Sequence, residues 1–210
     1  MPDSPLTRIA AVLPGFLLAI VLHEVAHGYV AYRLGDDTAK RAGRLTLSPI
    51  AHLDLFGTIF FIVSSLVAGL GFGWAKPVPV VIERLRNPRR DEILVTLAGP
   101  AANLLQAFAW AFVLRIVLHL GYVALVIICV WGVAINVLLM IFNLLPIPPL
   151  DGSHVAFRLL GYDNPHLVDR LAPLGFVALI LLMYTGLFNI LMRVLVSPIV
   201  GRLLPPGLYF

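Results

Sequence analysis

Inside the apolar run AIVLHEVAHGYV, Ala19 to Val30, stand two histidines and a glutamate: His23, Glu24 and His27. Polar and ionisable groups in apolar surroundings cost several kcal/mol each unless something compensates them. On a helix, positions i and i+4 lie one above the other on the same face, so His23 and His27 can grip one metal ion. Glu24 can reach a water at that metal without being a ligand, and two ligands with a general base in the pattern H-E-x-x-H are the arrangement of zinc hydrolases. A helix with two histidines on a wet surface also fits the five letters. This run offers no such surface, and ionisable groups inside a membrane segment are functional candidates. The motif therefore sets a condition on the rest of the fold: the residue that completes the metal's shell must come to the depth of His23 and His27.

The surroundings are apolar throughout the chain. Of 210 residues 60% are hydrophobic and 12% charged, with a mean hydropathy of +0.96. A soluble domain carries about a quarter charged residues, so this composition is that of an integral membrane protein. Long apolar stretches lie at 9–34, 55–72, 93–118, 122–145 and 171–196, and a bilayer core takes about 20 such residues per helix. The expected fold is an all-α polytopic bundle of about four to six transmembrane helices. The short link at His119–Gly121 makes 93–118 and 122–145 antiparallel neighbours. Arg8 followed by Ile9–Leu22 superficially resembles a signal peptide, but no small-residue cleavage site follows and the run continues into His23. It reads as a retained transmembrane helix.

The basic balance (pI about 9.6) does not point to nucleic acid, because the basic residues flank apolar segments as cytoplasmic loops do. The single Cys129 excludes an intrachain disulfide framework and a multi-cysteine zinc site.

Two histidines leave zinc short of a third protein ligand. The candidates are Asp151, His154, His52, Asp54 and, less well placed, His119. In NLLPIPPLDGSH, Asn143 to His154, three prolines unwind the chain as it leaves an apolar segment. Non-helical backbone at membrane depth is tolerated where it lines a polar cavity or is buried in protein, and Asp151 presented from such a break is the best candidate. His154 is the first substitute and His52 the next. His52 and Asp54, in SPIAHLDLFGT, also suit a supporting pair or a helix cap.

HEVAHG, the intervening AGPAANL (Ala98–Leu104) and the distant NLLPIPPLDG, in that order on hydrophobic segments, resemble the site-2 protease family of intramembrane zinc metalloproteases. The resemblance covers about residues 9–160, and GWAKPVPV (Gly73–Val80) is similar to a subgroup of it. It implies His23 and His27 as histidine ligands of one Zn2+, Glu24 as the catalytic glutamate, Asp151 as the aspartate ligand, and Asn103 near the active site. It implies a single metalloprotease domain over 1–210, a minimal form without PDZ or CBS domains, with accessory helices over 171–210.

Depth also dictates topology. Nine of the fifteen basic residues fall in two connections, Arg33, Lys40, Arg41 and Arg44 in one and Lys76, Arg84, Arg86, Arg89 and Arg90 in the other. The positive-inside tendency places both in the cytoplasm. If the first helix runs inward, His23 lies about 15 Å from its cytoplasmic end. A single crossing by 55–72 would then deliver Asp151 to the wrong face. The chain over 55–92 must therefore return to the side it left, as a re-entrant element with an extended arm over 73–81. A plain cytoplasmic hairpin over 74–92 is the alternative.

The expected activity is endoproteolysis in or near a transmembrane segment of another protein, with Glu24 as proton carrier and Asn103 helping at the oxyanion. Asn103 also suits a hydrogen bond across packed helices beside Gly99 and Ala102. The expected setting is the cell membrane, with the site opening toward the cytoplasm. The rival is a non-proteolytic membrane metal-binding or transport protein using the same ligands; it has no need of Glu24.

Overall fold

A computed structural model describes residues 5–68, 75–162, 164 and 166–208. Its described part is helical, with no strand beyond one isolated bridge. Helix α1 runs Pro5–Arg33, α2 Thr38–Arg41, α3 Leu55–Ala68, α4 Pro88–Leu120, α5 Val123–Asn143, α6 Asp151–Leu159, α7 Leu167–Tyr184, α8 Leu187–Leu191 and α9 Ser197–Leu203. Among the described residues, α1 from Ile9, α4, α5 and α7 are long and apolar enough to cross a membrane. The chain is thus an all-α, multi-pass membrane protein.

Small residues set the central packing. At Gly15 of α1 and Gly132 of α5 the two helices touch backbone to backbone; a Cβ on Gly15 would stand 2.9 Å from Gly132 Cα. Close approach through small residues is how membrane helices gain contact where lipid supplies no hydrophobic drive. Along the α4–α5 seam, Ala107, Ala111, Leu114 and Val117 meet Val130, Val133, Val137 and Ile141, with Val196, Val200 and Leu204 closing one side. Gly121, at φ +74, ends α4 and turns the chain straight into α5, as the short link predicts.

The apolar run 55–72 is not a full crossing. Helix α3 has 14 residues, about 21 Å of rise against a hydrocarbon core of about 30 Å. Beyond it the chain comes back to where it began: Leu53 and Ala75 form an antiparallel bridge, and Lys76 N–H donates to His52 C=O at 2.9 Å. Residues 69–74, with the first residues of the expected arm over 73–81, lie outside the described residues. From Ala75 to Val81 the chain is non-helical and is pinned at its far end by Val81 N–H on Asp36 Oδ2 at 2.7 Å. The run 171–196 also differs from a single helix, breaking at Gly186 (φ +77) into α7 and α8.

The two basic connections pack together. Arg86 N–H donates to Leu34 C=O, Arg84 Nη1 donates to Thr38 Oγ1 at 3.1 Å, and Arg84 lies 3.8 Å from Asp37. Both sit at the C-terminal end of α1, the shared end that the depth argument requires.

Candidate metal centre

His23 and His27, one turn apart on α1, face α4 and the start of α6. Their Nε2 atoms stand 3.0 Å apart, and Asp151 Oδ2 lies 3.2 Å from the first and 3.5 Å from the second. Tetrahedral zinc with bonds of about 2.0–2.1 Å separates its ligand atoms by about 3.3 Å, so these three atoms form one face of such a tetrahedron. His23 and His27 are buried, 7% and 8% exposed. Asp151 Oδ2 is buried without a hydrogen bond.

The outer ring nitrogens fix the inner ones. His23 Nδ1–H donates to Asn103 Oδ1 at 2.5 Å and His27 Nδ1–H to Val95 C=O at 2.7 Å. With both outer nitrogens acting as donors, both Nε2 atoms present lone pairs toward a carboxylate oxygen. Three acceptors aimed at one point need a cation. A shared proton bridges only one pair of them, whereas a tetrahedral metal satisfies all three. The donor set, two imidazoles and a carboxylate, is that of a zinc site with three protein ligands.

Each ligand has a local reason for its place. Gly99 of α4 lies against both rings; a Cβ there would stand 2.6 Å from His23 Cε1 and Nε2. Asp151 is the first residue of α6, delivered after the Pro146–Pro149 break, and Ser153 Oγ and N–H both close on Leu150 C=O to start the new helix. On α7, Gly175 leaves no room for a Cβ beside the Pro148 backbone, so α7 braces the same break from outside.

Glu24 lies on the neighbouring face of α1. Its Oε2 accepts the Val78 N–H at 2.8 Å, and Val78 itself is buried against Gly28. The extended segment thus crosses α1 beside the glutamate. Asn103 is fully buried behind His23, its Nδ2 donating to Ala19 C=O at 3.2 Å and to Asn136 Oδ1 at 3.0 Å. Asn136 in turn donates to Gly132 C=O, so one amide pair ties α1, α4 and α5 together behind the histidine.

The other ligand candidates lie elsewhere. His154 Nδ1 faces Glu92 Oε1 at 3.3 Å. His52 is fully buried, with Nε2 on Thr46 C=O and its own carbonyl holding Lys76. Asp54 caps α3 through Gly57 N–H, and His119 is exposed in the last turn of α4. The supporting groups Val95, Asn136 and Glu92 escape a reading of the sequence. A backbone carbonyl has no letter of its own, and Glu92 stands in a charged run that reads as an exposed helix start.

Comparison with known proteins agrees. The family model described as "Peptidase family M50" matches residues 118–184. "Putative zinc metalloprotease YwhC" of Bacillus subtilis is 38% identical over 191 residues, 87% of this chain and 84% of its own. "Putative zinc metalloprotease Rip2" of Mycolicibacterium smegmatis is 32% identical over 189 residues, 85% of this chain and 68% of its own. No solved structure matches. A bundle of membrane-length helices closing on a zinc-type donor set, with relatives aligned over most of its length, makes the chain a member of peptidase family M50, the site-2 protease family of membrane zinc metalloproteases.

Proposed function

We propose that this membrane metalloprotease is an endopeptidase that cuts peptide bonds in or beside the transmembrane segments of other proteins. His23 Nε2, His27 Nε2 and Asp151 Oδ2 hold its zinc. The observation that carries this reading is the convergence of those three atoms with Glu24 on the neighbouring face of the same helix. Bound zinc supplies Lewis acidity, polarising a carbonyl and acidifying water. The chain's own groups do the rest. Glu24 takes a proton from the attacking water as its oxygen bonds to the carbonyl carbon. It then passes that proton to the amide nitrogen as the C–N bond breaks. Val78 N–H holds Glu24 Oε2 in place, and Asn103 keeps His23 in the tautomer that turns Nε2 inward.

A helical substrate hides its carbonyls in hydrogen bonds, so the scissile stretch must unwind first. The non-helical segment 75–81 beside Glu24 is the surface on which an unwound stretch can be received as an added strand. The catalytic core is 9–160, with α7–α9 accessory. The positive-inside tendency of the two basic connections supports an orientation with the Glu24 end of the site toward the cytoplasm of the cell membrane.

The test is Glu24→Gln in the full-length protein with a co-expressed membrane substrate. Zinc content should stay at wild-type level while cleavage falls by at least about a thousandfold, as loss of a general acid–base group implies. Cleavage that persists in a zinc-loaded Glu24→Gln protein overturns the role of Glu24, whereas zinc binding without cleavage in the wild type leaves a metal carrier as the better reading.

A further inference from the structure

Glu92 and Arg158 are buried, 5% and 8% exposed, and are joined across α4 and α6 by an ion pair between Arg158 Nε and Glu92 Oε2. The other carboxylate oxygen, Oε1, faces His154 Nδ1 at 3.3 Å. A buried ion pair is weak as a stabiliser, because desolvating both charges offsets most of their attraction. What such a pair supplies well is direction.

Direction is what α6 lacks from its own chain. The helix has nine residues, starts at Asp151 on the heels of a proline-rich break, and has no side-chain cap at Leu150. Asp151, His154 and Arg158, at i, i+3 and i+7, share one face. Fixing the last two on Glu92 fixes the rotation of the whole short helix, and with it the aim of the Asp151 carboxylate. On α4, Glu92, Val95, Gly99 and Asn103 also share one face at spacings of three, seven and eleven. That face therefore meets both histidines directly, Asn103 holding His23, Val95 C=O holding His27 and Gly99 seating both rings, and reaches Asp151 through His154 and Arg158.

We infer that Glu92 and Arg158 are positioning residues for the third metal ligand, a buried ion pair that sets the rotation of α6 so that Asp151 Oδ2 meets the two histidines. The inference rests on the reading of Asp151 as a zinc ligand.

The test uses the full chain in detergent micelles, with zinc affinity measured by chelator competition, the visible absorption of the cobalt(II)-loaded protein, and thermal unfolding of the metal-free form. Glu92→Gln keeps the shape and removes the charge. The double variant Glu92→Met with Arg158→Met replaces the pair by apolar volume, and it decides the matter if the single variant does not fold. Both should bind zinc about ten- to a hundredfold more weakly, the range for loss of a group that orients a ligand. Their cobalt spectra should be altered, while metal-free unfolding of the double variant stays near wild type. Wild-type zinc affinity and cobalt spectrum in the double variant overturn the inference. Asp151→Ala separates the two levels. If it binds zinc as wild type does, the ligand assignment itself is wrong. If it binds weakly while the Glu92 variants bind normally, only the positioning role is lost.

Discussion

Gly99 has the least freedom of any residue in the site. The rings of His23 and His27 lie where its side chain would go, and neither can yield, because Asn103 and Val95 C=O hold them from behind. Gly99→Ala should therefore tilt both rings and weaken zinc binding at least about tenfold, while the fold, judged by helical circular dichroism, persists. Chelator competition checks it, and wild-type affinity would mean that the rings have more play than the contacts allow. At this scale the sequence was legible wherever chemistry demands a particular side chain. Two histidines at i and i+4 with a glutamate between them have few other uses in an apolar helix, and Asp151 stands out after three prolines. Asn103 was visible as a residue, but its geometry favours orienting His23, since both its N–H donors are engaged by Ala19 and Asn136. Glu92 was hidden by its neighbours: in NPRRDEILV a charge reads as the wet start of a helix, and only the arrival of α6 turns that position inward.

Among the elements, the extended segment 75–81 does most with least. It is anchored through His52 C=O at one end and Asp36 at the other. Between the anchors Val78 gives its N–H to Glu24, while Pro77 and Pro79 on either side have none to give. Val78→Pro removes the one donor without opposing an extended backbone. Turnover should fall about tenfold or more with zinc affinity unchanged, the opposite signature to Gly99→Ala, and a parallel fall in zinc affinity would show that the segment supports the metal as well. The return of 55–92 to the side it left was expected because Asp151 had to share a depth with His27, and the contact of Leu53 with Ala75 accords with it. The break at Gly186 was not expected, since apolar residues continue on both sides and hydropathy is blind to a left-handed backbone.

Across the whole molecule, the placement of both basic connections at one end of the bundle makes a simple prediction. Arg41 and Glu83 are exposed in the first and second connections. With Cys129, which is buried, replaced by alanine, Arg41→Cys and Glu83→Cys should be labelled by a membrane-impermeant thiol reagent only when it has access to the cytoplasmic face. Labelling of the two from opposite faces would contradict the proposed orientation and the shared end together.

The common face of α4 bears on how such a molecule moves. Twelve residues of one helix, Glu92 to Asn103 with about 16 Å of rise, touch each donor residue or its holder, so α1, α5 and α6 cannot slide or roll against α4 without pulling the donor atoms apart. Low-energy opening belongs to parts that share little of the global stability. Among the described elements α3 is one such part, with Leu55, Phe56, Ile59, Ile62 and Val63 exposed. The donor atoms thus sit in a fixed frame, and freedom of movement is left to residues outside it.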